Sequence, residues 1–343
     1  MKRAERNREG LSEKKLTEQV QKLLKERGSK PLEMAKKAVL EEKIECKEVR
    51  EALKYFMTEY WQDLARPTLL SLCCEAVGGN PEITIPIAVP MTLISGGIDI
   101  HDDIIDQSRI KRNRLTVFGK FGKDMALLVG DALLFKGLTL LHEAVENGVP
   151  AEKMPAIIDT VNKMFFELGD AEALELKFRR RVDITPEEYL HVVEKKAADV
   201  EAHTRISAIL GDGSNNEIEA LSNYGRFLGM ILILRDDLLD ITDSKEMLNR
   251  IENECLPLPI LCALQTSRIK PKLASTLLKK HITKKDVKTI KEITNSAQGL
   301  EQSLKIMHEF AKNALLSIQN IRQNSSLKTF VIASCFPYPE KEL

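Results

Sequence analysis

Two short acidic stretches are the residues of this chain most suited to chemistry. HDDIID, residues 101–106, and RDDLLD, residues 235–240, share one spacing, and each follows a long apolar run. On a helix, positions i and i+4 lie nearly in line and i+1 sits beside them. Asp102, Asp103 and Asp106 therefore share one face, as do Asp236, Asp237 and Asp240. Like charges so placed destabilise a helix by roughly 0.2–0.5 kcal/mol per pair, unless a multivalent cation sits among them. Hard oxygen ligands select Mg2+, with Mn2+ as the alternative. Mg2+ held by few carboxylates keeps coordination positions for water and substrate phosphate, and Lys111, Arg112 and Arg114 follow closely enough to meet other phosphate oxygens. A single motif of this kind is ordinarily a solvated face. Two copies, each at the polar end of an apolar helix, point to an apolar tunnel capped by a metal–diphosphate site.

The elements that position these motifs are helical. KKLTEQVQKLLKER, EVREALKYFMTEYW, DMALLVGDALLFKGLTLLHEAV and MPAIIDTVNKMFFELGDAEALELKF repeat apolar residues at spacings of three and four. No period-two strand and no Asn-Gly or Asp-Gly hairpin signal stands out. Breakers fall where helices should be joined, at GGNPE (78–82), NGVP (147–150), GDGSNN (211–216) and PLP (257–259). Thr185 followed by Pro186 and two glutamates is a helix-start signature. The reading is one all-α domain of about ten to a dozen helices. A basic N-terminal helical extension is expected over 1–30 and the main domain over 31–343.

The balance of 51 basic and 51 acidic residues argues against a general nucleic-acid binder. The six cysteines show no CxxC pairing and suit small buried positions in a reducing compartment. The start of the chain is charged, with no signal-like segment, and the apolar stretch 83–98 is broken by Pro86 and Pro90. A soluble, cytoplasmic protein without a transmembrane segment is the expectation.

At this level of detail the chain resembles the trans-isoprenyl diphosphate synthases, the polyprenyl synthetase family. HDDIID and RDDLLD resemble its first and second aspartate-rich motifs. KRNRLTVFGKFG, GDALL at 130–134, EEYLHVVEKKAA, ARPTLLSLCCEAVGG and YGRFLGM resemble further family segments between and around them. The resemblance implies a helix bundle of the isoprenoid-synthase type around a deep central cavity. It implies Mg2+ held by Asp102, Asp103, Asp106, Asp236, Asp237 and Asp240 on an allylic diphosphate, which ionises and is attacked by isopentenyl diphosphate. By the same resemblance Lys196 binds diphosphate, Lys111 and Arg112 match an arginine pair, and Arg66 is the surviving base of a GGKxxRP motif. A homodimer is implied, with a heteromeric synthase as the alternative.

The departures from the family pattern are local. GGKxxRP reads WQDLARP, so Asp63 stands where the lysine is expected, and Ala197 replaces the threonine beside Lys196. Ile233 replaces a glutamine, GDAEA at 169–173 replaces GQxxD, and EMLNRIENECLP replaces a basic loop after the second motif. Recognition of the diphosphate could then fall to Lys111, Arg112, Arg114 or Arg250. Asp99 and Arg235, each beside an aspartate motif, are expected to pair. Gly97, five positions before Asp102, offers no side chain to stop a growing chain, which predicts a product of about C20 or longer. Two other functions fit the eroded isopentenyl pocket: a terpene synthase or diphosphate lyase that needs no isopentenyl diphosphate, and a non-catalytic subunit of a heteromeric synthase.

Overall fold

The computed structural model of the chain describes residues 2–111 and 113–336, and of residues 2–13 only the backbone. Helices dominate, as the periodicity predicts. In order they are α1 (Lys2–Leu40), α2 (Lys47–Tyr55), α3 (Ala65–Ala76), α4 (Ile85–Ile105), α5 (Val117–Phe121), α6 (Lys123–His142), α7 (Met154–Phe178) and α8 (Pro186–Lys196). There follow α9 (Ala198–Leu210), α10 (Asn215–Thr242), α11 (Ser244–Asn253), α12 (Leu258–Leu264), α13 (Lys270–Leu277), α14 (Lys284–Ser296), α15 (Gly299–Ser317) and α16 (Ser325–Ser334). The expected count of ten to a dozen falls short because several helices, such as α5 and α12, are only one to two turns long. Helix α1 continues through residue 30 and carries Pro31 in its interior.

One feature was not expected. Immediately after the first acidic motif, β1 (Ile110–Lys111) and β2 (Arg114–Leu115) pair antiparallel, Ile110 with Leu115 and Lys111 with Arg114. Two residues per strand are too few to show an alternating pattern. Asn113, in the turn, adopts φ 59°, a left-handed conformation that asparagine tolerates. Arg112 lies outside the described residues.

The contacts group into two compact units. The first contains Met1–Val161, Ala202–Ser222 and Ile318–Ala333; the second contains Asn162–Glu201, Asn223–Ser317 and Ser334–Leu343. In the first unit α4 lies along α6, and α1 packs on α3 and α4. The core there includes Leu53, Phe56, Met57, Leu93, Ile100, Val117, Phe118, Val129 and Leu133. In the second unit α12 packs on α15, α14 and α8, with Leu258, Ile260, Leu261 and Leu264 fully buried. Burial of each such side chain contributes about 1.5–3 kcal/mol. Helix α8 opens with the capping box its sequence announces: Glu188 N–H donates to Thr185 Oγ1 and Thr185 N–H to Glu188 Oε2.

Two segments, Pro81–Ile105 and Lys123–His142, are long and apolar enough to cross a bilayer by length and composition. The first is 72% buried within the protein and ends in Asp99, Asp102 and Asp103, which describes a core helix that delivers charges to a site. Cys73, Cys74, Cys255 and Cys262 are buried free thiols, as expected, while Cys46 is exposed and Cys335 half-buried.

Candidate functional site

Both acidic motifs close their helices. Asp102 and Asp103 lie in the last turn of α4 and Asp106 is its C-cap, while Asp236, Asp237 and Asp240 lie in the last two turns of α10. The negative end of a helix dipole disfavours carboxylates there, which adds to their mutual repulsion and makes a nearby cation necessary. Each motif has one within its own unit.

In the first unit that cation is Lys111. Its Nζ lies 2.8 Å from Asp103 Oδ1 and 3.1 Å from Asp102 Oδ2. The β1–β2 pair is what carries Lys111 back over the end of α4. Burial opposes a charge on Lys111, but Asp102, Asp103 and Asp106 together hold its ammonium well above the ordinary lysine range. Asp103 is nearly inaccessible, and burial raises its carboxyl to about 7 against the pull of Lys111. Asp102 and Asp106 offer carboxylate oxygens within 4.8 Å of each other. Two convergent carboxylates with oxygen donors alone fit Mg2+ or Mn2+, which take few protein ligands and fill the rest with water and phosphate. His101, the first residue of the motif, turns instead to α6, with Nε2 3.3 Å from Asp131 Oδ1.

A second cluster in this unit gathers the residues of WQDLARP. A π-helical turn, Phe56–Tyr60, leads from α2 into Trp61, whose ring stacks on Phe56 at 5.3 Å between centroids. Trp61 Nε1 donates to Asp99 Oδ2 at 2.7 Å. Asp63 Oδ1 accepts from Ala65 N at 2.8 Å and from Arg66 N at 3.3 Å, satisfying amides at the start of α3. Its other oxygen takes Arg66 Nη1 at 2.8 Å, and Arg66 Nη2 lies 3.5 Å from Asp99 Oδ1. Arg66 is thus held between two carboxylates. Asp99, expected to pair with Arg235, is engaged by Trp61 and Arg66 in its own unit, and Arg235 Nη2 donates to its neighbour Asp236 at 3.3 Å.

In the second unit the cation is Arg250, carried by α11. Its Nη2 donates to Asp237 Oδ1 and lies 3.1 Å from the Tyr189 hydroxyl, and Nη1 donates to Glu254 at 2.7 Å. Asp237 also accepts from Tyr189 Oη at 2.8 Å and from the Leu258 amide at 3.0 Å. Burial raises Asp237 to about 6 and Asp240 to about 7, with Arg250 pulling both down. Lys196, at the end of α8, is paired with Glu172 at 2.9 Å and with Glu175. In the first unit, Arg114 Nη1 donates to the Glu59 carbonyl at 3.0 Å.

Gly97 does not face an open tunnel. A Cβ there would lie 2.7 Å from Leu134 Cγ and 2.8 Å from the Gly130 carbonyl, so the glycine exists to let α4 approach α6. This close packing gives the tunnel-floor expectation for the residue no support. Sequence reasoning also missed Trp61, Tyr189, Glu172, Glu175 and Glu254. Tyr189 lies in a matched segment, but nothing in its spacing tells that its hydroxyl reaches Asp237.

Each motif sets carboxylates at a helix end beside a basic side chain of its own unit. The sequence profile of the polyprenyl synthetase family matches residues 47–296, and the chain belongs to that family. It is 36% identical over 186 residues to a short chain isoprenyl diphosphate synthase of Methanothermobacter thermautotrophicus, covering 54% of this chain and 56% of that one. It is 26% identical over 270 residues to a geranylgeranyl diphosphate synthase of Sulfolobus acidocaldarius, covering 76% of this chain and 81% of that one. The stretch matched to the first of these spans little more than half of that relative's length. In fold, the chain is similar to the geranylgeranyl pyrophosphate synthetase of Pyrococcus horikoshii, with a TM-score of 0.80, 24% identity, and coverage of 94% of this chain and 100% of the other. That match, as one helical fold, is what a single-domain all-α chain requires.

Proposed function

We propose that the chain is a Mg2+-dependent trans-prenyltransferase that condenses isopentenyl diphosphate with an allylic diphosphate. The observation that carries this reading is the pair Asp102 and Asp106, converging at the end of a core helix with Lys111 beside them. Bound Mg2+ would neutralise charge developing on the leaving diphosphate, which promotes ionisation of the allylic C–O bond. Asp102 and Asp106 would hold it; within the second motif Asp236 has the most exposed side chain. Lys111 and Lys196 would bind diphosphate oxygens, each leaving a carboxylate to do so. The released diphosphate can accept the proton lost on condensation, so the side chains need supply no nucleophile.

A product of about C20 or longer rests on the relatives named as geranylgeranyl synthases, since Gly97 gives no support. A homodimer is supported by the outer face of α6, where Leu127, Leu128, Phe135 and Leu138 are exposed and Phe135 is 71% accessible. A cytoplasmic location remains the reading of the cysteine usage.

The engagement of Arg66 by Asp63 and Asp99 favours a second reading, an allylic diphosphate lyase or terpene synthase that needs no isopentenyl site. One assay separates the two. Purified protein is incubated with Mg2+, labelled isopentenyl diphosphate and a panel of allylic diphosphates. Longer labelled prenyl diphosphates, abolished by Asp106→Asn, establish the synthase. Diphosphate release from the allylic substrate alone establishes the lyase. Absence of both excludes each activity for the isolated chain.

A further inference from the structure

The second aspartate-rich motif does not fit a divalent ion held by its three carboxylates. Asp237 is 2% exposed, and its two oxygens receive Tyr189 Oη, Arg250 Nη2 and the Leu258 amide. Three donors from α8, α11 and the start of α12 saturate a carboxylate that has no solvent face. Asp240 Oδ2 lies 3.7 Å from Arg250 Nε, in ion-pair rather than hydrogen-bond range. Glu254, one turn beyond Arg250, takes Nη1 and is itself braced by Asn249 Nδ2 at 2.7 Å. The guanidinium therefore sits among Asp237, Asp240 and Glu254 at the negative end of α10, where electrostatics calls for a cation. A metal ion bridging Asp237 and Asp240 would have to displace it and deprive a guanidinium that is 13% exposed of two of its carboxylate partners, leaving it Glu254, a costly arrangement.

We propose that Arg250 is the resident cation of the second aspartate-rich motif, and that Asp237 and Asp240 are its anchors rather than ligands for a divalent metal. The motif then contributes to metal binding through Asp236 alone, whose side chain is 47% exposed. Asp237 becomes a positioning residue that ties α10, α11 and α12 together. The inference rests on the reading that metal binds at the first motif only for its reference count of ions, and the two are tested by different variants.

The test is the number of Mn2+ ions bound by the full chain without diphosphate, counted by the loss of the free Mn2+ paramagnetic resonance signal. Asp240→Asn in the otherwise native chain is expected to bind as many ions as the native protein. Arg250→Gln, which removes the charge, is expected to bind one more, and adding Asp240→Asn to it should remove that ion. Arg250→Lys keeps a cation and should keep the native count. Loss of an ion in Asp240→Asn would overturn the proposal, as would a folded Arg250→Gln that gains none. Should Arg250→Gln not fold, the Asp240→Asn count decides by itself. Loss of Mn2+ binding in Asp106→Asn reports on the first motif and so on the proposed function, independently of these outcomes.

Discussion

Lys111 Nζ lies 2.8 Å from Asp103 Oδ1, so the ammonium expected to meet a substrate phosphate is paired with a motif aspartate. The same ammonium reaches Asp102 Oδ2, one of the oxygens that would hold a metal. A divalent ion and Lys111 therefore compete for Asp102, while a bound diphosphate would draw Lys111 away. Replacing Lys111 by Met should tighten Mn2+ binding in the absence of diphosphate and weaken pyrophosphate binding. Loss of one charge-assisted contact of about 1.5–3 kcal/mol corresponds to a weakening of roughly tenfold or more. Calorimetric titration of Mn2+ and of pyrophosphate into the variant checks both arms. Equal weakening of the two would refute the competition.

The buried aspartates predict opposite pH dependences for stability and for metal binding. Burial raises Asp103 to about 7 from an ordinary 3.8, so the folded chain binds this proton more tightly than the unfolded chain. The resulting contribution to stability is complete below about 3.8 and is lost as pH rises through about 7. Asp240, raised to about 7, and Asp237, raised to about 6, act in the same sense. Ionised Asp103 places a further negative charge beside Asp102, so Mn2+ affinity at the first motif should rise across the window in which this stability is lost. Asp103→Asn cannot titrate and should flatten its share of the Tm profile. A Tm-against-pH curve for Asp103→Asn that superimposes on the native one would exclude this role for Asp103.

Gly97→Ala should destabilise the protein without changing product length. The new methyl would press on Leu134 and on the Gly130 carbonyl, which is backbone and cannot rotate away. Overpacking of this kind costs about 1–3 kcal/mol. Thermal unfolding measures the loss, and chromatography of the prenyl products measures their length. A stable variant with shortened products would restore Gly97 to the tunnel wall.

Much of this was legible in the sequence, for identifiable reasons. Helical periodicity is a local property, and Thr185, Pro186 and Glu188 announce the start of α8 within four residues. The two aspartate motifs are legible because their spacing matches one helical turn. Partners distant in sequence are not legible in this way. Asp99 reads as an extra carboxylate until Trp61 and Arg66 are seen to bond it from 38 and 33 residues away. Asp237 looks equivalent to Asp236 until Tyr189 and Leu258 are seen to close over it. Gly97 reads as open space because a sequence gives the missing side chain but not the helix packed against it.

Asp63 offers the most direct test of whether Arg66 can serve a substrate. One of its oxygens satisfies the amides of Ala65 and Arg66 at the start of α3, and the other holds the Arg66 guanidinium. Asp63→Asn keeps an oxygen for the amides and removes the charge that pairs with Arg66. Conservative replacement at a helix start costs little, whereas Asp63→Ala should lose about 0.5–2 kcal/mol of stability. With Asp63 neutral, Arg66 loses one of the two carboxylate charges beside it and keeps Asp99 at 3.5 Å, which favours its meeting an anion. If the chain condenses isopentenyl diphosphate, Asp63→Asn should lower the KM for that substrate severalfold and leave the KM for the allylic substrate unchanged. Steady-state kinetics with each substrate varied in turn gives both values. An unchanged isopentenyl KM would mean that Arg66 belongs to the frame that positions α3, and that the second diphosphate, where one is bound, is held by other side chains.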